Sequence, residues 1–206
     1  MFNLSTVVSK FLNGSFEQNT YVLYNKKDAI IIDAGAEVED LKQIIKTRKV
    51  LAVLITHLHF DHIWNLVDIL KEFNCDVYIQ KDCEDAFINA RFNASYMIRM
   101  NLKFDIPSEK IRYYEEKLKF GKFEINVYET PGHSKDCVCL KIGDMLFTGD
   151  TLFNDCIGRT DLFYSDNLKI LDSLKKIKEI DFKIAYPGHY EPCTKEEALK
   201  VISMYI

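Results

Sequence analysis

The sequence has no long apolar run and no recognisable targeting segment. No uncharged stretch approaches the roughly 20 residues that cross a membrane, and residues 1–14 show neither a basic leader nor a small-residue cleavage site. These absences predict a protein that does not associate with a membrane. We expect it to be located in the cytoplasm.

The sequence also lacks the cysteine pairs of zinc ribbons and redox motifs. It has six cysteines but no CxxC, and Cys137 and Cys139 lie in an apolar run that is typical of a strand. Free cysteine is among the most frequently buried residue types, so we predict reduced, buried thiols. Cys156 is the exception, because its loop is expected to face the site described below.

Charge of one sign is nowhere concentrated. The 27 basic and 31 acidic residues are scattered and leave a formal net charge of -4, which argues against a nucleic acid partner. With 206 residues, 48% of them hydrophobic, the chain can bury a core without covalent staples. We predict a single domain over residues 1–206.

The apolar patterning predicts strands alternating with helices, which is the α/β class. Strands are predicted at 21–24, 29–33, 50–55, 76–80, 111–114, 123–128, 137–142, 145–147 and 182–186, and helices at 62–73, 167–180 and 195–204. Residues 83–105 mix aromatic, Met and basic residues and break this alternation. We interpret them as a helical insertion.

All five histidines stand where metal ligands are typical. Three lie within Thr56–His62, and His133 and His189 each follow a Pro-Gly pair. Imidazole is the commonest metal ligand of proteins, and Asp61 and Asp150 add carboxylates. Each of these positions follows a predicted strand, so we expect the side chains to meet at one edge of the sheets.

The spacing suggests how the ligands would be shared. His57 and His59 are two residues apart in an extended segment, so both can reach one metal. Seven ligands are too many for one tetrahedral zinc. One ion would therefore take His57, His59 and His133, a second would take Asp61, His62 and His189, and Asp150 would bridge them. The expected cofactors are two divalent metal ions, with Zn2+ first and Fe or Mn as alternatives.

Two such ions can share a hydroxide, because metal binding lowers the pKa of the bound water to about 7. The pattern therefore predicts a hydrolase in which Asp61 and Asp150 act with that hydroxide and no protein nucleophile is needed. Asp33, at a strand end, is predicted to orient a ligand histidine from outside the ligand set. A closed structural zinc site is the bland alternative, although such sites usually contain cysteine. A metal-binding protein without catalysis is a further alternative.

The motifs resemble those of the metallo-β-lactamase superfamily. The resemblance covers most of the chain and rests on Thr56–His62, Pro131–Ser134, Thr148–Thr151 and Pro187–His189. It implies a four-layer αββα sandwich. The segments Gly149–Phe153 and Ile157–Asp161 resemble, more narrowly, the short glyoxalase II-like (hydroxyacylglutathione hydrolase-like) hydrolases. That resemblance implies a small-molecule thioester substrate such as S-D-lactoylglutathione.

The resemblance leaves substrate binding open. Two-domain glyoxalase II enzymes bind glutathione partly through a C-terminal helical domain, whereas this sequence ends one short helix after His189. Our hypothesis is that the 83–105 insertion covers the site. Its Arg91, Arg99 and Lys103 would offer charge to a carboxylated thiol; packing or a homodimer contact is the alternative. Arg159 would bind substrate or pair with Asp161.

Other branches of the superfamily supply rivals. A persulfide dioxygenase, which also resembles this chain at Gly158–Asp161, would hold one iron on His57, His133 and Asp150. True β-lactamases place cysteine at the position of Asp150, and flavodiiron proteins place glutamate at the position of His59. RNA-processing members would require a basic surface. These last three are disfavoured.

Overall fold

The computed structural model describes residues 7–206 and contains two six-stranded sheets. Sheet one comprises β1 (Val7–Asn13), β2 (Gln18–Tyr24), β3 (Asp28–Ile32), β4 (Lys49–Leu54), β5 (Asp76–Ile79) and β6 (Ile111–Tyr113), with helices α1 (Val38–Ile45) and α2 (Leu66–Phe73). Sheet two comprises β7 (Lys117–Phe120), β8 (Phe123–Glu129), β9 (Val138–Ile142), β10 (Met145–Gly149), β11 (Ile184–Pro187) and β12 (Cys193–Thr194), with helices α3 (Asn167–Glu179) and α4 (Lys195–Ile202).

Strand order follows chain order in both sheets. Sheet one runs β1 to β6, antiparallel through β3 and parallel from β3 onward. Sheet two runs β12 to β7 and is antiparallel except for the parallel pair β10 and β11. The two sheets thus take up the two halves of the described chain, joined between β6 and β7.

Three layers of apolar side chains hold the sheets and helices together. Strand alternation sends Ile31 towards α1 and α2, and Ile30 and Ile32 towards sheet two. The other face of sheet two, including Leu146, packs on α3 and α4 through residues such as Leu174. This is the αββα sandwich, so the predicted fold class is confirmed.

Two element predictions are wrong. The 83–105 segment forms no α-helix and contains only two 3₁₀ turns, Glu84–Phe87 and Ser95–Ile98. Its centre is anchored by Phe92, which is fully buried, and by Asn93, whose amide donates to two backbone carbonyls. The helix predicted from residue 62 begins only at Leu66.

The sequence patterns also miss three strands. The edge strands β1 and β7 and the two-residue β12 were not predicted from the apolar pattern. No helix within residues 7–206 combines the length and apolar character that crossing a bilayer requires.

Candidate metal centre

The seven predicted ligands meet at one edge of the sandwich, in loops that follow strands. His57, His59, Asp61 and His62 follow β4, His133 follows β8, Asp150 follows β10, and His189 follows β11. Their ligand atoms fall into three groups, and within each group the atoms lie within 4.8 Å of one another. The groups are His57 with His59 and His133, His57 with His62 and Asp150, and Asp61 with His62 and His189.

Asp150 lies between the two outer groups. Its Oδ1 is 3.2 Å from Nε2 of His62, and its Oδ2 is 3.5 Å from Nε2 of both His133 and His189. One carboxylate therefore reaches histidines from both groups. This is the position in which sequence analysis expected a bridging ligand.

The residues present fit divalent metal ions. Nε2 of His57 is buried and has no hydrogen-bond partner among the described residues. Nε2 of His62 and Oδ1 of Asp150 are also buried and lie 3.2 Å apart without forming a hydrogen bond. Orphaned polar atoms of this kind cost free energy unless an ion or another group engages them. Nε2 of His133 also faces Nδ1 of His59 at 2.9 Å, so two ring nitrogens converge on one point.

The electrostatics of the cluster differ from one histidine to the next. Burial lowers the pKa of His59 to about 3 and lowers that of His57 well below its usual range, so both rings are neutral and can offer lone pairs. Burial opposes a charge on His62 as well, but Asp33, Asp150 and Asp61 together raise the pKa of this ring. At His62 the carboxylates thus outweigh burial.

Three histidines are oriented through the ring nitrogen that points away from the centre. His62 Nδ1 lies 2.8 Å from Asp33 Oδ2, which is the role expected of Asp33. His133 Nδ1 lies 2.9 Å from the backbone oxygen of Arg159, and His189 Nδ1 lies 3.2 Å from that of Glu17. A proton on each Nδ1 leaves Nε2 free to bind a metal.

Two glycines allow the loops to approach this closely. A Cβ at Gly158 would overlap the backbone oxygen of Asp150, and one at Gly188 would overlap the Asp150 carboxylate and the ring of His62. The Gly158–Asp161 and Pro187–His189 segments therefore need glycine for steric reasons.

Most of the chain matches a known protein family. The model of the metallo-beta-lactamase superfamily matches residues 13–189. The chain belongs to the metallo-beta-lactamase superfamily.

Individual relatives within the superfamily carry different names. The chain is 32% identical to the probable metallo-hydrolase YqgX of Bacillus subtilis over 165 residues, which is 78% of each protein. It is 34% identical to a hydroxyacylglutathione hydrolase of Francisella tularensis subsp. novicida over 184 residues, which is 87% of this chain but 65% of that protein.

Two solved structures resemble this chain over nearly their whole length. The BLEG-1 B3 metallo-beta-lactamase superposes with a TM-score of 0.87 at 31% identity and covers 94% of this chain and 97% of its own. TTHA1623, solved in a di-iron-bound form, gives a TM-score of 0.75 at 27% identity and covers 95% and 97%.

The four basic residues predicted to bind substrate differ in their surroundings. The exposed Arg159 pairs with Asp161 through two hydrogen bonds of 2.6 and 2.8 Å, which is the alternative that sequence analysis left open. The guanidinium of Arg91 lies 4.7 Å from the ring centre of Phe163, in the loop that follows Arg159. Arg99 and Lys103 are exposed, and within residues 7–206 their side chains make no hydrogen bond or ion pair.

Sequence reasoning missed two buried polar residues at the centre. Gln18 is fully buried, with its Nε2 at 3.4 Å from His62 Nδ1, and Asp136 is 2% exposed next to the loop that carries His57 and His59. Neither belongs to a ligand motif, so only the fold reveals them.

All six cysteines are free, as predicted; five are buried and Cys156 is half-buried.

Proposed function

We propose that this superfamily member is a binuclear metal-dependent hydrolase that cleaves a thioester, S-D-lactoylglutathione or a related acyl-thiol. The observation that carries the proposal is the pair of three-ligand groups spanned by the Asp150 carboxylate. Two-metal centres of this kind are typical of hydrolases. The choice of thioester rests on the motif resemblance and on the relative named hydroxyacylglutathione hydrolase.

The nitrogen and oxygen donors suit two zinc ions. His57, His59 and His133 would hold one ion and Asp61, His62 and His189 the other, with Asp150 shared. Iron is an alternative, because the structural relative TTHA1623 was solved in a di-iron-bound form. When bound, the ions supply a water-derived nucleophile near neutral pH and polarise the substrate carbonyl.

The remaining chemistry belongs to the side chains of this chain. Asp61 lies 3.2 Å from Nε2 of His189, Asp150 reaches histidines of both groups, and Asp33 fixes the ring of His62. Arg159 and Arg91 are the residues proposed to bind a carboxylated thiol. The backbone oxygen of Arg159 contacts His133 while its guanidinium pairs with Asp161, and the guanidinium of Arg91 lies over Phe163. Within residues 7–206 no serine or cysteine side chain is hydrogen-bonded to a histidine, which agrees with hydrolysis that needs no protein nucleophile.

The test is hydrolysis of S-D-lactoylglutathione by chelator-stripped protein reconstituted with zinc. We expect kcat/KM of about 10⁴ M⁻¹s⁻¹ or above, which is the ordinary range for a physiological substrate. Asp61→Asn should abolish most of this activity because it removes a ligand carboxylate. Asp172→Asn is the matched control, since Asp172 is an exposed residue of α3 that pairs with Lys175 on the same helix.

A negligible rate in fully metal-loaded protein would contradict the thioester proposal. β-Lactam hydrolysis is disfavoured by the aspartate at position 150, but it is the second candidate activity because one structural neighbour is named a B3 metallo-beta-lactamase. The chromogenic β-lactam nitrocefin should therefore be assayed in parallel. Oxygen uptake on glutathione persulfide by iron-loaded protein tests the dioxygenase alternative.

A further inference from the structure

Asp136 is a buried carboxylate outside the set of seven ligands. It is 2% exposed and follows His133 by three residues. Its Oδ2 accepts a hydrogen bond of 2.7 Å from the backbone N–H of Leu58, and its Oδ1 accepts one from the hydroxyl of Ser134. Both carboxylate oxygens thus accept hydrogen bonds from groups outside the ligand set.

The position of Leu58 gives this hydrogen bond its meaning. Leu58 lies between His57 and His59, so the carboxylate holds the backbone that presents both rings. On the other side of His57, the backbone N–H of Val138 donates to the oxygen of Thr56 at 2.9 Å. The loop from sheet one is therefore tied to sheet two on both sides of His57.

The group of three histidines depends on this connection, because it is assembled from two loops. His57 and His59 come from the loop after β4, and His133 comes from the loop after β8 that also carries Asp136. A hydrogen bond to a charged acceptor is stronger than a neutral one, and its N–H would be left buried and unpaired without it. Backbone position here directly sets the spacing of the ring nitrogens.

We propose that Asp136 is a positioning residue that holds the Leu58 backbone, and with it His57 and His59, in register with His133, so that the three-histidine group is formed before a metal binds. The proposal rests on the proposed use of this cluster for metal. It makes a prediction that differs between the two groups: loss of the Asp136 carboxylate weakens the three-histidine group and spares Asp61, His62 and His189.

The experiment measures zinc affinity by competition with a chelating dye in two backgrounds. Asp61→Asn disables the second group and His59→Ala disables the first, so each background reports on one group. Adding Asp136→Ala should weaken zinc binding by about 10- to 100-fold in the Asp61→Asn background, the usual loss when an outer partner of a metal ligand is removed. The same change should leave affinity in the His59→Ala background unaltered.

Asp136→Asn is the conservative variant. Its amide oxygen can still accept from Leu58 N–H and its amide N–H can donate to Ser134, so we expect most of the zinc affinity to return. Asp136→Ser, one atom shorter, should bind zinc as weakly as Asp136→Ala and serves where the alanine variant does not fold. Asp172→Ala is the surface control.

The outcomes separate the two proposals. Unchanged zinc affinity in Asp136→Ala or Asp136→Ser would overturn the positioning role while leaving the metal centre intact. The positioning role would also be overturned if Asp136→Ala weakened zinc binding equally in both backgrounds and lowered the thermal stability of the metal-free protein. That pattern would indicate a carboxylate that supports the fold as a whole. Failure of the wild-type protein to bind zinc, iron or manganese would overturn both proposals.

Discussion

At the residue scale, Asp33 combines an unusual backbone conformation with a contact to a ligand histidine. Its φ is 59°, in the left-handed region, and its carboxylate accepts from the backbone and hydroxyl of Thr56 as well as facing His62 Nδ1. Aspartate and asparagine tolerate this conformation better than other side chains. The position therefore demands a short polar side chain and uses its charge on His62.

Asp33→Asn should weaken metal binding while keeping the fold. The amide retains the left-handed backbone and an acceptor for Thr56, but it removes the negative charge that holds His62. We expect zinc affinity to fall by about 10- to 100-fold, with a far-ultraviolet circular dichroism spectrum like that of the wild type. A chelator-competition titration measures the affinity, with Asp172→Asn as control. Wild-type affinity would show that the charge of Asp33 is dispensable.

The sequence pointed to the candidate ligands and to Asp33, but not to the buried polar residues Asp136 and Gln18 beside them. The motifs name the ligand types and their spacing, and a strand precedes each of them, so the meeting of seven side chains follows from sheet geometry. Asp136 and Gln18 lie next to those ligands only because distant loops converge, and a single polar residue carries no periodic signal. The pairing of Arg159 with Asp161 was left open because an arginine serves an internal and a bound carboxylate equally well.

At the element scale, the helices and central strands follow their apolar periodicity, while the 83–105 segment does not. There the side chains of Asn89 and Asn93 accept hydrogen bonds from backbone N–H groups two or three residues ahead. Such bonds compete with those of a helix and favour turns. The helical interpretation of residues 83–105 was based on their mixed apolar and basic composition and did not take these turn-forming hydrogen bonds into account.

Helix α4 offers a direct test of local stabilisation. Thr194 and Glu197 form a capping box, in which the threonine hydroxyl accepts from Glu197 N–H and the glutamate accepts from Thr194 N–H. Thr194→Ala should lower the free energy of unfolding by about 1 kcal/mol and Tm by about 2–4 °C. Differential scanning calorimetry measures the change, and Thr194→Ser should restore it. An unchanged Tm for the alanine variant would mean that the cap contributes nothing measurable.

At the scale of the whole molecule, metal removal should lower stability markedly. An ion that binds only the folded chain stabilises it by about 4 kcal/mol at a thousandfold excess over its dissociation constant, which corresponds to about 10 °C in Tm for a chain of this size. Treatment with a chelator should therefore lower Tm, and added zinc should restore it. Equal Tm values with and without metal would contradict a centre that binds only the folded state.

The buried thiols predict how stability depends on alkaline pH. Burial raises the pKa of Cys75 and Cys193 to about 11 and that of Cys83 and Cys139 to about 12. Thiols of the unfolded chain lose their protons near pH 8.5. Above that pH the folded chain therefore keeps more protons on its thiols than the unfolded chain does. The contribution of the thiols to stability is complete below about pH 8 and declines as pH rises towards 12.

Denaturant midpoints at pH 7.5 and pH 10 check this dependence. We expect a lower midpoint at pH 10, and a smaller difference between the two pH values for Cys139→Ala than for the wild type, because one buried thiol is gone. A midpoint that does not fall between these pH values would contradict the raised pKa values.

The division of the ligands between the two halves of the chain affects the order of events during synthesis. The half that ends with β6 supplies His57 and His59 to one group and Asp61 and His62 to the other, so each group has two donors of its own and lacks at least one more. Zinc sites in proteins use three or four protein ligands. Under the proposed sharing of ligands, a nascent chain that has released only sheet one exposes no complete site, so metal binding would require the second half to be synthesised and docked.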